Sequence, residues 1–148
     1  MNTVADKTTC GPLFSMCLNK FTDMTDKEVR IFAAGHLTGQ AEKVYLGACR
    51  AAMVRPSEDY RQWCLTVAIH LSSIYGLEIS VFEREEIKDE IWIHRPDARS
   101  QVQLLGCPDI EVNSRFWHMI RGDLCGVPPG HIDHQFHERK GYGEVCDK

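Results

Sequence analysis

Apolar residues recur at helical spacing through the first half of this 148-residue chain. The pattern opens with a capping box, because Thr25 and Glu28 can each accept a hydrogen bond from the other's backbone N–H. Apolar positions over residues 29–37 predict a first helix, and those over residues 41–52 predict a second. Gly39 lies between the two segments, and glycine weakens a helix there. Two consecutive helices are therefore expected in this region.

The third helical pattern is the strongest one in the chain. Ser57 is expected to cap it, and Gly76 is expected to end it in the left-handed conformation that glycine adopts at helix C-termini. Between them runs a broad apolar stripe that predicts a helix face turned to the core. The stripe consists of Tyr60, Trp63, Cys64, Val67, Leu71 and Ile74.

Beyond the third helix the apolar period changes from 3.6 to 2, which predicts strands. Apolar and polar residues alternate over residues 77–81 and again over residues 91–93, with an acidic connection between them. This pattern predicts an antiparallel hairpin with one buried face and one solvated face, on which His94 points to solvent. Residues 101–105 are predicted as a third strand, since an isolated two-stranded ribbon is only marginally stable.

Two shorter helices are expected in the C-terminal region. Asp109 or Asn113 can cap the first, whose apolar side comprises Val112, Phe116, Ile120 and Leu124. Glycines and prolines over residues 126–130 end it, and residues 131–139 then predict a short helix.

The order of these elements predicts an α+β fold, because strands that alternated regularly with helices would instead indicate a parallel sheet. Three helices precede the hairpin, with its optional third strand, and two C-terminal helices follow it, so the domain is mainly helical. We expect one globular domain over residues 1–148. Residues 1–21 show no sustained period and are expected to form an irregular N-terminal arm.

Composition and charge narrow the classes of function. The formal net charge is −4, which argues against general nucleic-acid binding, since such binding depends on neutralising phosphates. No apolar run approaches the roughly 20 residues that span a bilayer, so no membrane partner is expected. The N-terminus lacks the features of a secretory signal, and the seven cysteines include no CxxC pair. A soluble, cytoplasmic protein is therefore expected.

The C-terminal third concentrates the side chains that carry chemistry, including four of the seven histidines. On the first C-terminal helix two arginines and a histidine share one face, where they can bind a phosphate or carboxylate, and a tryptophan beside them can stack on a ring. The expected ligand-binding residues are Arg115, Trp117, His118, Arg121, Arg139 and Tyr142. The competing interpretation is a solvated face whose arginines pair with Asp109, Glu111 or the acidic hairpin.

A second cluster offers metal ligands. His131, His134 and His137 are spaced three residues apart, so adjacent pairs can reach one metal ion, and zinc is the metal that this chemistry favours. The pattern is less specific than HExxH, because it lacks the i, i+4 spacing and an embedded general base. The competing interpretation is a polar helix face that happens to contain histidines.

These patterns support three functions. The first is a small, soluble, non-enzymatic binding protein whose ligand is anionic or nucleotide-like and is held by the basic, aromatic and histidine-rich C-terminal region. The second is a zinc-binding domain, or a metal-dependent hydrolase, that uses residues 131–137. The third is a protein-interaction module, such as an inhibitor or assembly component, whose acidic hairpin binds a basic partner. No catalytic motif of the GxSxG kind occurs, no cofactor other than zinc is indicated, and a homo-oligomer remains open.

Overall fold

Four α-helices and a three-stranded antiparallel sheet are formed by the residues that the computed structural model describes, namely residues 24–128 and residue 130. The helices are α1 (Asp26–Tyr45), α2 (Arg61–Tyr75), α3 (Arg99–Leu104) and α4 (Arg115–Cys125). The strands are β1 (Ala51–Val54), β2 (Glu78–Ser80) and β3 (Ile91–His94). Short 3-10 turns cover Glu58–Tyr60, Glu85–Ile87 and Pro96–Ala98. The predicted α+β class is confirmed.

The strands lie in the order β1-β3-β2, so the strand that comes last in the chain occupies the centre. β2 and β3 form the predicted hairpin, with Ile79 opposite Ile93. The third strand is β1, where Val54 lies opposite Ile91. The prediction of a strand over residues 101–105 is wrong, because most of that segment belongs to α3.

Helices cover both faces of the sheet. Because side chains alternate along a strand, Ile91 and Ile93 point to one face, where they pack with buried residues of α1 and α2. Trp92 points to the opposite face and packs with buried residues of α3 and α4, among them Val102 and Ile120. All four residues of β3 are buried, so the prediction of a solvated hairpin face is wrong for this strand.

A single long helix replaces the first two predicted helices. The capping box is confirmed, since Thr25 Oγ1 accepts from the Glu28 N–H at 3.2 Å and Glu28 Oε1 accepts from the Thr25 N–H at 2.9 Å. The helix continues through Gly39 to Tyr45, and β1 begins at Ala51, within the last two residues of the predicted second helix. A glycine costs a helix only about 1 kcal/mol, which the buried side of α1 offsets.

Helix α2 ends as predicted but is rotated slightly from its predicted face. Gly76 adopts φ 70° at the C-cap, as expected, whereas Ser57 begins the preceding 3-10 turn and makes no side-chain capping bond. Trp63, Val67 and Leu71 are only partly buried, and Ile74 is 63% exposed, so its placement in the core is wrong. The fully buried line of the helix consists of Cys64, Ala68 and Ser72. Small side chains on this line let α2 lie close to its neighbours.

Helix α4 begins at a different cap from either predicted one. The Ser114 hydroxyl accepts from the Trp117 N–H at 3.2 Å, whereas Asn113 adopts a positive φ of 70° just before it. Ile120 and Leu124 are buried as predicted, but Phe116 is 58% exposed and Trp117 takes its place in the core. The larger indole therefore occupies the interior, and the buried face is rotated by about one residue at this end.

Some predictions concern residues outside the described part of the chain. The N-terminal arm over residues 1–21 and the helix over residues 131–139 both lie there, so they stay predictions, as does the extent of the single domain over residues 1–148. Within the described residues, no helix combines the length and the apolar character needed to cross a bilayer.

Candidate functional site

Polar side chains line one face of the central strand. Glu90, Trp92 and His94 occupy alternate positions, so they point to the same side of the sheet, and all three are completely buried. The prediction that His94 points to solvent is wrong, because α3 and α4 cover this face. A buried polar group is costly unless it is hydrogen-bonded, so the partners of these residues determine what the face can do.

The carboxylate of Glu90 is held by three donors. Its Oε1 accepts from Arg121 Nη1 at 2.8 Å and from Trp92 Nε1 at 2.9 Å, and its Oε2 accepts from Arg55 Nη2 at 2.5 Å. Two guanidiniums from different segments thus supply opposite charge to one fully buried carboxylate. Hydrogen bonds between charged groups are the stronger ones, so this cluster fixes α4 and residue 55 against the start of β3.

Arg121, an expected ligand-binding residue, lies between two indole rings. Its guanidinium carbon is 4.5 Å from the ring centroid of Trp117 and 5.3 Å from that of Trp92, and its side chain is only 18% exposed. The contact with Glu90 is of the kind that the competing interpretation expected, in which the arginines pair with the acidic hairpin segment.

Three of the other expected binding residues lie in the described part of the chain, and two lie outside it. Trp117 is 3% exposed and its Nε1 donates to the Leu105 carbonyl at 3.4 Å, so its indole lies in the core. The His118 ring meets Trp117 edge-on at 5.4 Å, whereas Arg115 is exposed at the start of α4. The structure therefore brings Trp117, His118 and Arg121 together. The other two expected residues, Arg139 and Tyr142, lie outside the described residues.

The expected zinc ligands also lie outside the described residues. These are His131, His134 and His137, so their role stays a prediction. Within residues 24–128 and residue 130, no group of three or more His, Cys, Asp or Glu side chains is arranged to hold a metal ion.

A cleft of about 600 Å³ opens beside Arg55, between the start of α2 and the connection from β2 to β3. One wall comes from the 3-10 turn before α2, and the other comes from the acidic connection between the two strands of the hairpin. The lining residues are Pro56, Ser57, Glu58, Arg61, Phe82, Glu83, Lys88 and Asp89. The cleft was not predicted from the sequence, although the acidic composition of the connection was noted there.

The lining of the cleft carries three carboxylates and two cations, which leaves one net negative charge. Both cations are bonded to groups of this chain. Lys88 Nζ lies 2.9 Å from Glu85 Oε2, a contact that raises the pKa of the lysine, and Arg61 Nη2 donates to the Lys88 carbonyl at 2.5 Å. Asp89 is likewise paired, with Arg55 at 3.7 Å. Among the described residues, Glu58 and Glu83 are therefore the lining charges outside these contacts, and they suit a cationic group better than an anion.

Alternating charges connect the cleft with α4. Asp89 in the cleft wall lies 3.7 Å from Arg55 Nε, and Arg55 in turn bonds Glu90, which bonds Arg121. A charge placed in the cleft thus lies at one end of a continuous network that reaches the indoles of the sheet's buried face.

Sequence reasoning also missed a Ser–His pair between β2 and β3. The Ser80 hydroxyl oxygen lies 2.8 Å from His94 Nε2, and His94 Nδ1 lies 2.9 Å from the Arg95 carbonyl oxygen. Glu78 Oε1 lies 4.0 Å from Nδ1, and Arg99 bonds this carboxylate and holds the pKa of Glu78 below its ordinary value. No local motif marks this group, because its members come together only through strand pairing.

No model of a protein family matches the chain, and neither a curated protein nor a solved structure matches it. No activity is therefore carried over to the cleft or to the Ser–His pair from another protein. The chemistry of both sites is inferred from the contacts among this chain's own residues.

Proposed function

We propose that this protein is a non-enzymatic interaction module whose cleft binds a basic segment of a partner protein. The observation that supports this proposal is the charge of the lining, in which Lys88, Arg61 and Asp89 already contact other groups of the chain. Glu58 and Glu83 are the lining charges outside these contacts among the described residues. An arginine or lysine of a partner would place its charge near Glu58 and Glu83, while Phe82 offers apolar surface to the side-chain stem.

The size of the cleft favours a short segment over a whole folded surface. A volume of about 600 Å³ lies within the roughly 300–1,000 Å³ that is usual for ligand sites, so it accommodates one or two side chains of a partner. Complementary charge at such a site accelerates association and is weakened by salt, since exposed charges are screened beyond about 8–10 Å at physiological ionic strength. Binding is therefore expected to be strongest at low salt.

A charge-reversal experiment tests this proposal. A fluorescently labelled penta-arginine peptide is titrated with the full chain at low salt, and binding is followed by fluorescence anisotropy. Glu83→Lys replaces a lining carboxylate with a cation, so we expect the affinity to fall about tenfold or more, or about 1.4 kcal/mol.

The matched control is Glu111→Lys, which changes the net charge equally at an exposed position that is not part of the cleft lining. It is expected to leave the affinity within about twofold of the unaltered chain, in keeping with the small effect of exposed charges. Equal weakening by both variants would show that the peptide senses only overall charge. Absence of binding at low salt would refute the assignment of a basic partner.

The anion-binding interpretation of α4 is a second candidate. It is favoured by the grouping of His118 and Arg121 around the Trp117 ring. A nucleotide-like ligand would compete with Glu90 for the Arg121 guanidinium. A thermal shift by nucleoside phosphates that is lost in Arg115→Ala would support this candidate. Penta-arginine binding with no response to phosphates would instead support the cleft.

A cytoplasmic location is part of this proposal. Cys49, Cys64, Cys107 and Cys125, the cysteines within the described residues, are all free thiols. Free thiols are usual in reducing compartments, where disulfides rarely persist.

A further inference from the structure

Ser80, His94 and Glu78 come together across the pairing of β2 with β3. Glu78 lies directly opposite His94, and Ser80 follows two positions later, so all three belong to the same face of the sheet. The Ser80 hydroxyl oxygen is 2.8 Å from His94 Nε2. None of these residues lines the cleft, so this group is independent of the site assigned to a partner protein.

The hydrogen bonds determine which nitrogen of His94 carries the proton. The Arg95 carbonyl can only accept, so the Nδ1 atom that lies 2.9 Å from it is the donor. In the neutral ring Nε2 is then the acceptor, and the Ser80 hydroxyl donates its hydrogen to Nε2. A hydroxyl that donates to an imidazole nitrogen is arranged to lose its proton as it attacks an electrophile.

The surroundings of the pair hold the ring of His94 in place and leave Ser80 partly accessible. His94 is completely buried and its ring is held at both nitrogens, whereas Ser80 is partly exposed on an edge strand. The Glu78 carboxylate lies 4.0 Å from Nδ1 of the same ring, so a line of polar groups runs from Ser80 through His94 to a carboxylate. Arg99 binds that carboxylate and keeps it in position.

We propose that Ser80 is a nucleophile activated by His94, and that it accepts one acyl group from an activated ester. In this step Ser80 Oγ forms a bond to the carbonyl carbon while its proton passes to His94 Nε2. The bond between the carbonyl carbon and the leaving oxygen then breaks, and the leaving group takes the proton from Nε2. The product is an ester at Ser80 and a free alcohol, so the protein carries a covalent modification site in addition to its cleft.

A fluorophosphonate probe tests this proposal, because its phosphorus stands in for the ester carbonyl and fluoride is its leaving group. The full chain is incubated with the probe, and adducts are counted by intact-protein mass spectrometry and located by peptide mapping. We expect a single adduct at Ser80 in the folded protein and none after heat denaturation. Ser80→Ala is expected to abolish the adduct, whereas Ser100→Ala, at an exposed serine, leaves it unchanged.

The role of His94 is tested by His94→Gln, which should slow adduct formation about a hundredfold or more, in line with the usual contribution of a general base. Because His94 is fully buried, circular dichroism first establishes whether this variant folds. Ser80→Cys avoids that difficulty, since it leaves the buried ring in place. Beside Nε2 the introduced thiol is expected to react with iodoacetamide at least about tenfold faster than the partly buried Cys107.

Three outcomes would overturn the proposal. The first is the absence of an adduct at Ser80 in the folded chain. The second is equal labelling of several serines before and after denaturation. The third is an introduced thiol that reacts no faster than Cys107. In each of these cases the Ser80–His94 bond serves only to satisfy a buried histidine.

Discussion

Replacing Arg121 with alanine removes one of the two guanidiniums that neutralise the buried Glu90. We expect the free energy of unfolding to fall by about 3–5 kcal/mol, because breaking a buried ion pair leaves an uncompensated charge. Glu90 is 0% exposed and so cannot regain water without opening the structure. Among the described residues, the carboxylate then keeps Arg55 and the indole of Trp92 as its partners.

The contacts of Arg121 account for this magnitude. Its 2.8 Å bond to Glu90 is a charged hydrogen bond, worth about 1.5–3 kcal/mol. Its position over the rings of Trp117 and Trp92 adds about 1–2 kcal/mol. The side chain is 18% exposed, so part of the charge effect is screened and a value near the lower end, about 3 kcal/mol, is expected.

Urea denaturation followed by tryptophan fluorescence measures this loss, since two of the three indoles contact Arg121. The matched control is Arg95→Ala, whose 3.3 Å pair with Asp97 has side chains that are 43% and 63% exposed. A surface pair of that kind contributes about 0–1 kcal/mol. If Arg121→Ala costs no more than Arg95→Ala, the buried network does not stabilise the fold, and Arg121 is available to a ligand instead.

Two further predictions concern backbone conformation and thiol reactivity. Gly39→Ala should raise the free energy of unfolding by about 0.5–1 kcal/mol, because a Cβ at this position of α1 meets nothing within 4 Å. Gly76→Ala should lower the free energy of unfolding by about 1–2 kcal/mol, because residue 76 has a φ of 70°. A loss of stability in Gly39→Ala, or a gain in Gly76→Ala, measured by urea denaturation, would contradict the respective prediction. Burial raises the pKa of Cys64 to about 11, so iodoacetamide at pH 8 should alkylate it far more slowly than Cys107, and equal rates in peptide mass spectrometry would contradict this.

Features that depend on near neighbours were predicted correctly from the sequence. The capping box of Thr25 and Glu28 and the left-handed Gly76 each involve residues within one helical turn. The hairpin of β2 and β3 followed from the alternation of apolar residues. In each case the signal and the structure that it predicts lie within a short segment of chain.

Features that depend on distant partners were not predicted. Residues 51–54 form a short apolar run, which suits a buried strand and a helix equally, and their partner strand begins only at residue 91. His94 is polar and was placed toward solvent, since nothing in its own segment reveals that α3 and α4 cover this face. The layer of α3 and α4 that buries this face of the sheet forms only in the folded chain, so local pattern alone does not reveal it.

The candidate site shows the same limit. The spacing of charged residues on α4 singled out Arg121. The carboxylate that Arg121 binds, Glu90, lies 31 positions earlier in the chain. Spacing along a helix indicates which charges share a face, not which distant charge opposes them. The acidic connection was noted for its composition, whereas the cleft beneath it requires residues 56–61 on the other side.

Strand order has a consequence for the chain as it is synthesised. The central strand β3 is made last, although both other strands hydrogen-bond to it. At about 5–20 residues per second, β1 leaves the ribosome seconds before its partner is available. Any nascent chain or proteolytic fragment that stops before Ile91 therefore holds two strands that share no hydrogen-bonded edge. Unpaired strand edges attract other chains, so such fragments are expected to aggregate or to depend on chaperones until residues 91–94 are present.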